Sequence, residues 1–350
     1  MQENGIPLNS VTAKHLETGS VVEKVLPPKI LVVTNKLPFK LERITRDVIY
    51  TKTFPYDEPL LVGYKLAMDK LNKMKVKVDI QFVFGGSVLN AIKAGDTRNK
   101  YVAMKIPTTQ TILVTKVKGY EVNPSQKGYQ FERLMTGRQA KETDTYSHMQ
   151  LLQLNGKNVL FIAETDGVDS QKKAVEIKLG QYSGCSSSFA IHTILQMISN
   201  GSNTLVYGST DRDDVFVESV ENKYLGDLIE EHVPTNQEKS NITNKITKTL
   251  TELEWKIEGH GVYRVRFDNR KTVTADVTNC LQVLPPTSET LCYLNNITPN
   301  LLAQDNYRVM AYRSYNRVHD TQLYPKTLWT NVWTEHNPII RYEQNTEFHK

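Results

Sequence analysis

The feature of this sequence that most constrains its fold is a pair of apolar segments that carry charges at alternate positions. Residues 159–163 are apolar and run directly into Glu164 and Asp166, and the second segment carries Glu176 and Lys178 two positions apart. Side chains at positions i and i+2 of a strand point to the same face, so each pair of charges shares one face of its strand. A charge at the end of a buried strand needs a partner or a metal ion, and we therefore expect the two segments to meet.

The connection between these two segments predicts a hairpin. Its nine residues, 167–175, include Gly167, Asp169 and Ser170, which are typical of turns. A hairpin would bring three carboxylates and one ammonium group to one spot, and carboxylate oxygens suit hard divalent cations. From these residues alone a second interpretation stays open, in which two surface strands carry solvated charges.

The composition is that of a globular protein with a mildly basic balance. The chain has 350 residues and 40.0 kDa, enough for one large domain or two small ones, and 39% of the residues are hydrophobic and 23% charged. No apolar run approaches the roughly 18–20 residues of a membrane span, so we expect no membrane partner. The three cysteines lack metal-site spacing and favour a reducing compartment, nucleus or cytoplasm. A net charge of +5 permits a polyanionic partner without requiring one.

Strand and helix patterns are interleaved without a regular βαβ rhythm, which predicts a mixed α/β fold of α+β character. We expect mostly antiparallel or mixed sheets flanked by helices. The pair Asn155-Gly156 predicts a hairpin turn between two strands. Helices are expected at residues 58–74, 128–135, 186–200, 225–231 and 239–253, and strands at 29–35, 78–84, 101–105, 111–116, 146–154, 158–164, 204–207, 215–220, 261–267 and 277–284.

Two boundaries divide the chain into three predicted parts. Residues 1–26 are expected to be a flexible N-terminal segment, and residues 27–284 the main domain. Residues 285–350, which begin at Pro285-Pro286, form an aromatic and basic C-terminal extension. The extension either packs on or beside the domain or offers a stacking surface for bases, and packing is the simpler interpretation.

The spacing of the acidic residues points to phosphodiester chemistry. Cleavage of a phosphodiester needs a nucleophilic water and relief of negative charge, and two divalent ions roughly 3.5–4 Å apart can supply both. The order Asp166, nine residues, Glu176, one residue, Lys178 is similar to the PD-(D/E)XK nuclease core. Such a short pattern is common by chance, and the apolar strands around it give it weight.

Four short motifs in a fixed order strengthen this interpretation. They are Gly128-Tyr129-Gln130-Phe131-Glu132, Glu164-Thr165-Asp166, Glu176-Ile177-Lys178, and Gln196 on a predicted helix before a strand that ends at Gly208. Over roughly residues 30 to 284, this ordered set resembles the DXO family of decapping exoribonucleases. The resemblance implies a PD-(D/E)XK-like catalytic core and identifies residues 27–284 as a decapping nuclease domain.

The resemblance also implies roles for individual residues. The implied metal ligands are Glu132, Glu164, Asp166, Glu176 and the backbone carbonyl of Ile177. Lys178 and Gln196 would be the catalytic pair near the nucleophilic water and the scissile phosphate, and with Glu132 they would contact the substrate.

The family implies a metal-dependent hydrolase of RNA 5′ ends with two divalent ions, Mg²⁺ or Mn²⁺. The expected reactions are removal of incomplete or non-standard caps including NAD caps, pyrophosphate release from 5′-triphosphate RNA, and 5′–3′ exonuclease activity. Expected partners are the RNA 5′ end and a 5′–3′ exoribonuclease protein.

One position departs from the family's pattern. The family usually carries an arginine before a glycine after a strand like residues 78–84, and Gly85 stands at that position here. Loss of this bidentate phosphate donor predicts a weaker grip on the substrate or a changed choice of 5′ end. Two alternatives therefore stay open: a catalytically weak RNA 5′-end-binding or regulatory paralogue, and a DNA nuclease of the PD-(D/E)XK type. Among the histidines, His148 is expected to be structural and His192 to share a helix face with Gln196.

Overall fold

The structure is a computed structural model of the chain. The residues that it describes are 3–6, 12–15, 21–23, 37–41, 50–52, 57–96, 101–106, 109–116, 120–122, 127–137, 145–181, 186–211, 216–258, 262–268 and 273–277.

Six helices lie in this described part of the chain: α1 Asp57–Lys73, α2 Val88–Ala94, α3 Lys127–Thr136, α4 Ser187–Asn200, α5 Leu225–His232 and α6 Asn236–Lys256. The helix of greatest interest for the site, α4, begins where the Ser186 side chain accepts a hydrogen bond from the Phe189 N–H. It ends at Gly201, whose φ of 75° is the left-handed conformation that glycine adopts without strain.

The strands within the same residues are β1 Glu3–Ile6, β2 Thr12–His15, β3 Val21–Glu23, β4 Phe39–Lys40, β5 Tyr50–Lys52, β6 Phe82–Gly85, β7 Tyr101–Lys105, β8 Ile112–Lys116, β9 Tyr120–Val122, β10 Thr145–Leu154, β11 Lys157–Glu164, β12 Gly167–Val168, β13 Ala174–Gln181, β14 Thr204–Thr210, β15 Phe216–Tyr224, β16 Val262–Phe267 and β17 Val273–Val277.

The larger sheet has the order β17-β16-β7-β8-β6-β11-β10-β2-β3, and β1 also pairs with β10. At its centre β6 runs parallel to both β8 and β11, and the other pairs are antiparallel. The predicted hairpin is confirmed as β10–β11, with Asn155 at φ 49° and Gly156 at φ 77°, the pair of positive φ values that a tight I′-type turn requires.

The smaller sheet has the order β12-β13-β14-β15-β4, and β13 and β14 are its parallel pair. The strands β5 and β9 pair separately. The chain therefore leaves the larger sheet at Glu164, the last residue of β11, and enters the smaller sheet at Gly167, the first residue of β12. Helices cover both sheets, and the predicted mixed α/β fold is confirmed.

Two apolar clusters hold the helices on these sheets. The larger one joins α2, α4, α5 and α6 to the larger sheet through residues such as Phe84, Phe161 and Leu195. The smaller one places Phe131 of α3 against Ile177 of β13 and Val206 of β14. As a result β13 lies between α3 on one face and α4 on the other, because α4 also contacts β13.

The division into residues 1–26, 27–284 and 285–350 stays a prediction, because residues 278–350 lie outside the described part of the chain. So does the strand expected at residues 29–35. Within residues 1–26, however, β1 and β2 pair with β10, and β2 pairs with β3. Part of the expected flexible segment thus extends the larger sheet, which gives the outer side of β10 hydrogen-bonding partners. None of the described helices is long and apolar enough to cross a membrane.

Candidate active site

The acidic residues lie where the chain crosses from the larger sheet to the smaller one. Thr165 is buried in this crossing, and its N–H donates to the Tyr146 carbonyl (2.8 Å) while its hydroxyl donates to the Gly167 carbonyl (3.1 Å). These bonds satisfy the one polar side chain that the crossing buries. They fix the backbone on both sides of Thr165 and so position Glu164 and Asp166.

The short hairpin β12–β13 returns the chain to the crossing. Its turn is held by Asp169, whose carboxylate accepts from the N–H groups of Gln171 (2.8 Å) and Lys173 (2.9 Å). The predicted turn is thus confirmed, but it closes a hairpin that begins at Gly167. Glu164 belongs to the other sheet.

Three of the predicted residues are in direct contact. The Asp166 carboxylate accepts a hydrogen bond from the Ile177 N–H (2.8 Å) and lies 3.9 Å from the Lys178 ammonium group. Lys178 in turn donates a hydrogen bond to Glu176 Oε1. The alternation along β13 therefore works as predicted, since Glu176 and Lys178 share one face while Ile177 packs toward α3.

Burial sets the electrostatics of this group. The Glu176 side chain has 0% of its surface exposed, Asp166 13% and Lys178 23%. Burial and the charge of Asp166 raise the pKa of Glu176 to about 7, although the ion pair with Lys178 acts in the opposite direction. Burial alone would lower the pKa of Lys178, but the attraction of Glu176 and Asp166 outweighs it and raises that pKa. Lys178 is therefore a cation at neutral pH.

The helix α4 presents one face to these groups. At its last turn, the Asn200 side chain donates to Glu176 Oε2 (2.5 Å) and to the Glu164 carbonyl (3.2 Å). Eight residues earlier, burial and the charge of Lys178 lower the pKa of His192. Residues four apart lie on the same face of a helix, so Gln196, between His192 and Asn200, lies on the face that borders the acidic group.

Glu132 and Tyr129 approach from α3. Burial, followed by the negative charges of Glu164, Glu132 and Asp166, raises the pKa of Tyr129 to about 12. Glu132 also contributes to the raised pKa of Lys178. Glu132 and Glu164 therefore lie close enough to Tyr129 for their charges to raise its pKa, and Glu132 does the same for Lys178.

The donor set of the site has the chemistry that a divalent cation requires. Carboxylates and backbone carbonyls are the ligands that Mg²⁺ and Mn²⁺ prefer, and the fully buried carboxylate of Glu176 requires positive charge beside it. Both observations fit a cation site. Within the described part of the chain, no three His, Cys, Asp or Glu side chains are grouped as a metal site would group them. Lys178 supplies positive charge to this group, since its ammonium group bonds Glu176 and lies near Asp166.

Gly85, where the family's pattern has an arginine, lies beside β11, the strand that ends at Glu164. Gly85 pairs with Ile162, two residues before Glu164. Within the described part of the chain, a Cβ atom on Gly85 would meet only Leu60 Cδ2, at 4.0 Å. A side chain at this position has room. A Cβ atom on Gly86, by contrast, would lie 2.8 Å from the Cβ of Ala163.

Sequence reasoning missed one residue of the site, Asn200. The sequence marks it only as the end of a predicted helix, yet it lies four residues after Gln196, and this spacing places it on the same face. His148 is structural as expected: it is buried, and its Nδ1 donates to the Asn200 carbonyl (2.7 Å). The backbone carbonyl of Ile177 and the side chain of Gln196 stay predicted participants.

Comparisons with known proteins agree with this architecture. No family model matches the sequence, and no curated protein sequence matches it. Among solved structures, Scheffersomyces stipitis Rai1 in complex with (3′-NADP)⁺ and calcium ion matches with a TM-score of 0.60 and 14% identity, over 84% of this chain and 96% of that one.

Two further structures match over similar lengths. K. lactis Dxo1 in complex with manganese has a TM-score of 0.57 and 14% identity, over 79% of this chain and 90% of its own. Candida albicans Rai1 in complex with pU5-Mn²⁺ has a TM-score of 0.54 and 13% identity, over 90% of this chain and 99% of its own. The chain therefore has the fold of the Rai1 and Dxo1 structures, and at the level of the fold the resemblance to the DXO family is confirmed.

Proposed function

We propose that this chain is a metal-dependent hydrolase of RNA 5′ ends. The observation that carries the proposal is the buried carboxylate of Glu176, held beside Asp166 and Lys178 where the two sheets of a Rai1-like fold meet. A buried acid, a neighbouring acid and a cation at a junction between sheets are typical of a reaction centre and unusual in a purely structural core.

The residues that would hold the ions are Glu132, Glu164, Asp166, Glu176 and the backbone carbonyl of Ile177. Two bound divalent ions would activate a water molecule and stabilise the negative charge of the phosphate. Lys178 is a cation at neutral pH, so its ammonium group would pair with a phosphate oxygen of the substrate. Gln196 would orient that phosphate or the attacking water from the adjacent helix face.

The proposed substrates follow from the chemistry bound by the proteins with this fold. One of them was solved with a nicotinamide dinucleotide and another with a short 5′-phosphorylated uridine RNA, which supports recognition of NAD caps and of 5′-monophosphate ends here. Removal of incomplete caps and pyrophosphate release from 5′-triphosphate RNA use the same hydrolysis at phosphorus. A nuclear or cytoplasmic location and a 5′–3′ exoribonuclease partner belong to the same proposal.

A second candidate function is a catalytically weak protein that binds RNA 5′ ends. The specific observation in its favour is Gly85, which has no side-chain donor for a phosphate; among the described residues, a Cβ atom there would meet only Leu60 Cδ2, at 4.0 Å. The retained group of Asp166, Glu176 and Lys178 favours the enzyme.

The experiment uses the purified full-length chain with Mg²⁺ or Mn²⁺ and RNAs that carry triphosphate, unmethylated-cap, NAD-cap or monophosphate 5′ ends, together with single-stranded DNA. We expect turnover of at least one RNA end and little of the DNA. Binding of every RNA without turnover would favour a catalytically weak RNA-binding protein over an enzyme. Preferential cleavage of DNA would indicate a DNA nuclease of the PD-(D/E)XK type.

Two variants test the site within this experiment. Glu164→Gln and Asp166→Asn should reduce turnover to background while the chain stays folded, because the amide oxygen introduced at position 166 can still accept from the Ile177 N–H. The matched control is Glu218→Gln, which makes the same chemical change on an exposed residue of β15. Unchanged turnover in both site variants would contradict the assignment of the site.

A further inference from the structure

The buried side chain of Asn200 joins the strands that carry the acidic residues. It has no solvent exposure, and its amide nitrogen donates both to Glu176 Oε2 on β13 (2.5 Å) and to the Glu164 carbonyl on β11 (3.2 Å). A primary amide has two hydrogens, so these two bonds use its full donor capacity. One side chain thus bridges the larger sheet and the smaller sheet at their junction.

The orientation of this amide is fixed by its neighbours. Asn200 Oδ1 accepts a hydrogen bond from the Ser202 N–H (3.0 Å), whereas the Glu164 carbonyl offers only an acceptor to the nitrogen. A flipped amide would oppose like groups on both sides. The hydrogen bonds therefore admit a single orientation.

The backbone of Asn200 is fixed as well. Its carbonyl accepts from Nδ1 of His148 on β10 (2.7 Å), and the next residue, Gly201, turns the chain away with a left-handed φ of 75°. The end of α4 is therefore attached to β10, β11 and β13 at once.

We propose that Asn200 is a positioning residue for the acidic site, which orients the Glu176 carboxylate and sets its distance from the end of β11. This inference rests on the proposed function, since it assigns the second oxygen of Glu176 to Asn200 and leaves Oε1, which faces Lys178, for a cation. Asn200 lies within the fourth motif, between Gln196 and Gly208, but the resemblance assigns it no role. Partners that orient metal-binding carboxylates typically change metal affinity about 10- to 100-fold when they are altered.

The test compares Asn200→Asp with Asn203→Asp in the full-length chain. Both changes add one negative charge near the end of α4, but Asn203 is exposed, and only the variant at position 200 replaces a donor to Glu176 by an acceptor. We expect the affinity for Mn²⁺, measured by isothermal titration calorimetry, to fall about 10- to 100-fold in Asn200→Asp and to stay within about twofold in Asn203→Asp. Asn200→Ala, which adds no charge, should lose at least tenfold and serves if Asn200→Asp does not fold.

A double variant tests whether the Asn200–Glu176 hydrogen bond supports the fold and whether the Glu176 carboxylate is needed for Mn²⁺. In Asn200→Asp with Glu176→Gln the donor and the acceptor exchange places, so the hydrogen bond can re-form while the carboxylate leaves position 176. We expect this pair to recover part of the thermal stability lost in Asn200→Asp without recovering Mn²⁺ affinity. Recovery of Mn²⁺ affinity in a chain without the Glu176 carboxylate would show that this carboxylate is not the ligand that Asn200 positions, and would overturn the proposal.

The remaining outcomes separate this proposal from the proposed function. If the wild-type chain binds Mn²⁺ and Asn200→Asp binds it with the same affinity, the role of Asn200 is overturned and the enzyme proposal still stands. A wild-type chain that binds no Mn²⁺ overturns both.

Discussion

Replacement by alanine should have opposite effects on stability at the adjacent glycines Gly85 and Gly86, which lie beside β11. A Cβ atom on Gly86 would lie 2.8 Å from Ala163 Cβ and 3.4 Å from Ala163 Cα, whereas carbon atoms pack best at about 3.5–4.0 Å. The Ala163 atoms belong to the backbone and Cβ of a central strand, so no rotation of a side chain relieves the overlap. Gly86→Ala must displace the end of β11 next to Glu164.

The magnitude follows from the two environments. Overpacking of a rigid core costs about 1–3 kcal/mol in the free energy of unfolding. Among the residues that the structure describes, a Cβ atom on Gly85 would meet only Leu60 Cδ2, at 4.0 Å. Because Gly85 also does not adopt a left-handed φ, Gly85→Ala should be neutral or stabilise by up to about 1 kcal/mol through the unfolded chain. The two variants should therefore differ by about 1–4 kcal/mol.

Urea denaturation of the two full-length variants, followed by circular dichroism, measures this difference directly. Gly86→Ala should also lower Mn²⁺ affinity and turnover, because the displaced strand carries Glu164. Equal stability of the two variants, or a larger loss in Gly85→Ala, would refute the contact between Gly86 and Ala163.

Three further predictions concern RNA binding, the pH dependence of stability and the capping of α6. Gly85→Arg should tighten binding of 5′-phosphorylated RNA at least tenfold by fluorescence anisotropy, because hydrogen bonds from a charged group are worth about 1.5–3 kcal/mol; Gly85→Gln is the uncharged control, and equal affinity of the two would contradict the prediction. Burial raises the pKa of Tyr101 to about 12 although the bond to Ser87 opposes it, so the folded chain holds this proton more tightly than the unfolded chain, whose pKa is about 10. The contribution of Tyr101 to the free energy of unfolding should be fully present below pH 10 and fall by roughly 1.4 kcal/mol per pH unit between pH 10 and 12. In Tyr101→Phe, the free energy of unfolding from urea denaturation should depend less on pH in this range. An unchanged pH dependence would contradict the burial of Tyr101. Thr235→Ala should cost about 1 kcal/mol, because Thr235 and Glu238 form the capping box that begins α6, and Thr235→Ser should keep most of that stability in the same assay.

Features that depend on neighbours in the sequence could be predicted. The Asn155-Gly156 turn needs positive φ at both residues, and these residue types tolerate it. The two ends of α4 could be predicted at Ser186 and Gly201, because a capping hydroxyl and a left-handed glycine mark them. Contact between Glu176 and Lys178 followed from the period of two along a strand.

Features that depend on the pairing of distant strands could not be predicted. The alternation placed Glu164 and Glu176 close together, but it did not reveal that they belong to different sheets. The role of Asn200 depends on that junction, since its amide has no acceptors to bridge until β11 and β13 are side by side. The pairing of β1 and β2 with β10 likewise depends on a strand more than a hundred residues away in the sequence.

The stability of the group around Glu176 is a further argument for the proposed reaction centre. Replacing a buried ion pair by well-packed apolar side chains is often neutral or stabilises a protein by about 1–4 kcal/mol, so an apolar pair at positions 176 and 178 would serve stability at least as well. The structure instead surrounds a carboxylate of 0% exposure with Lys178, Asn200 and the charge of Asp166. Sites that depart from what stability favours are where function is expected. Because Asn200 and Lys178 approach different oxygens of the same carboxylate, exchange of Lys178 for a bound cation would leave the bond to Asn200, and with it the orientation of Glu176, in place.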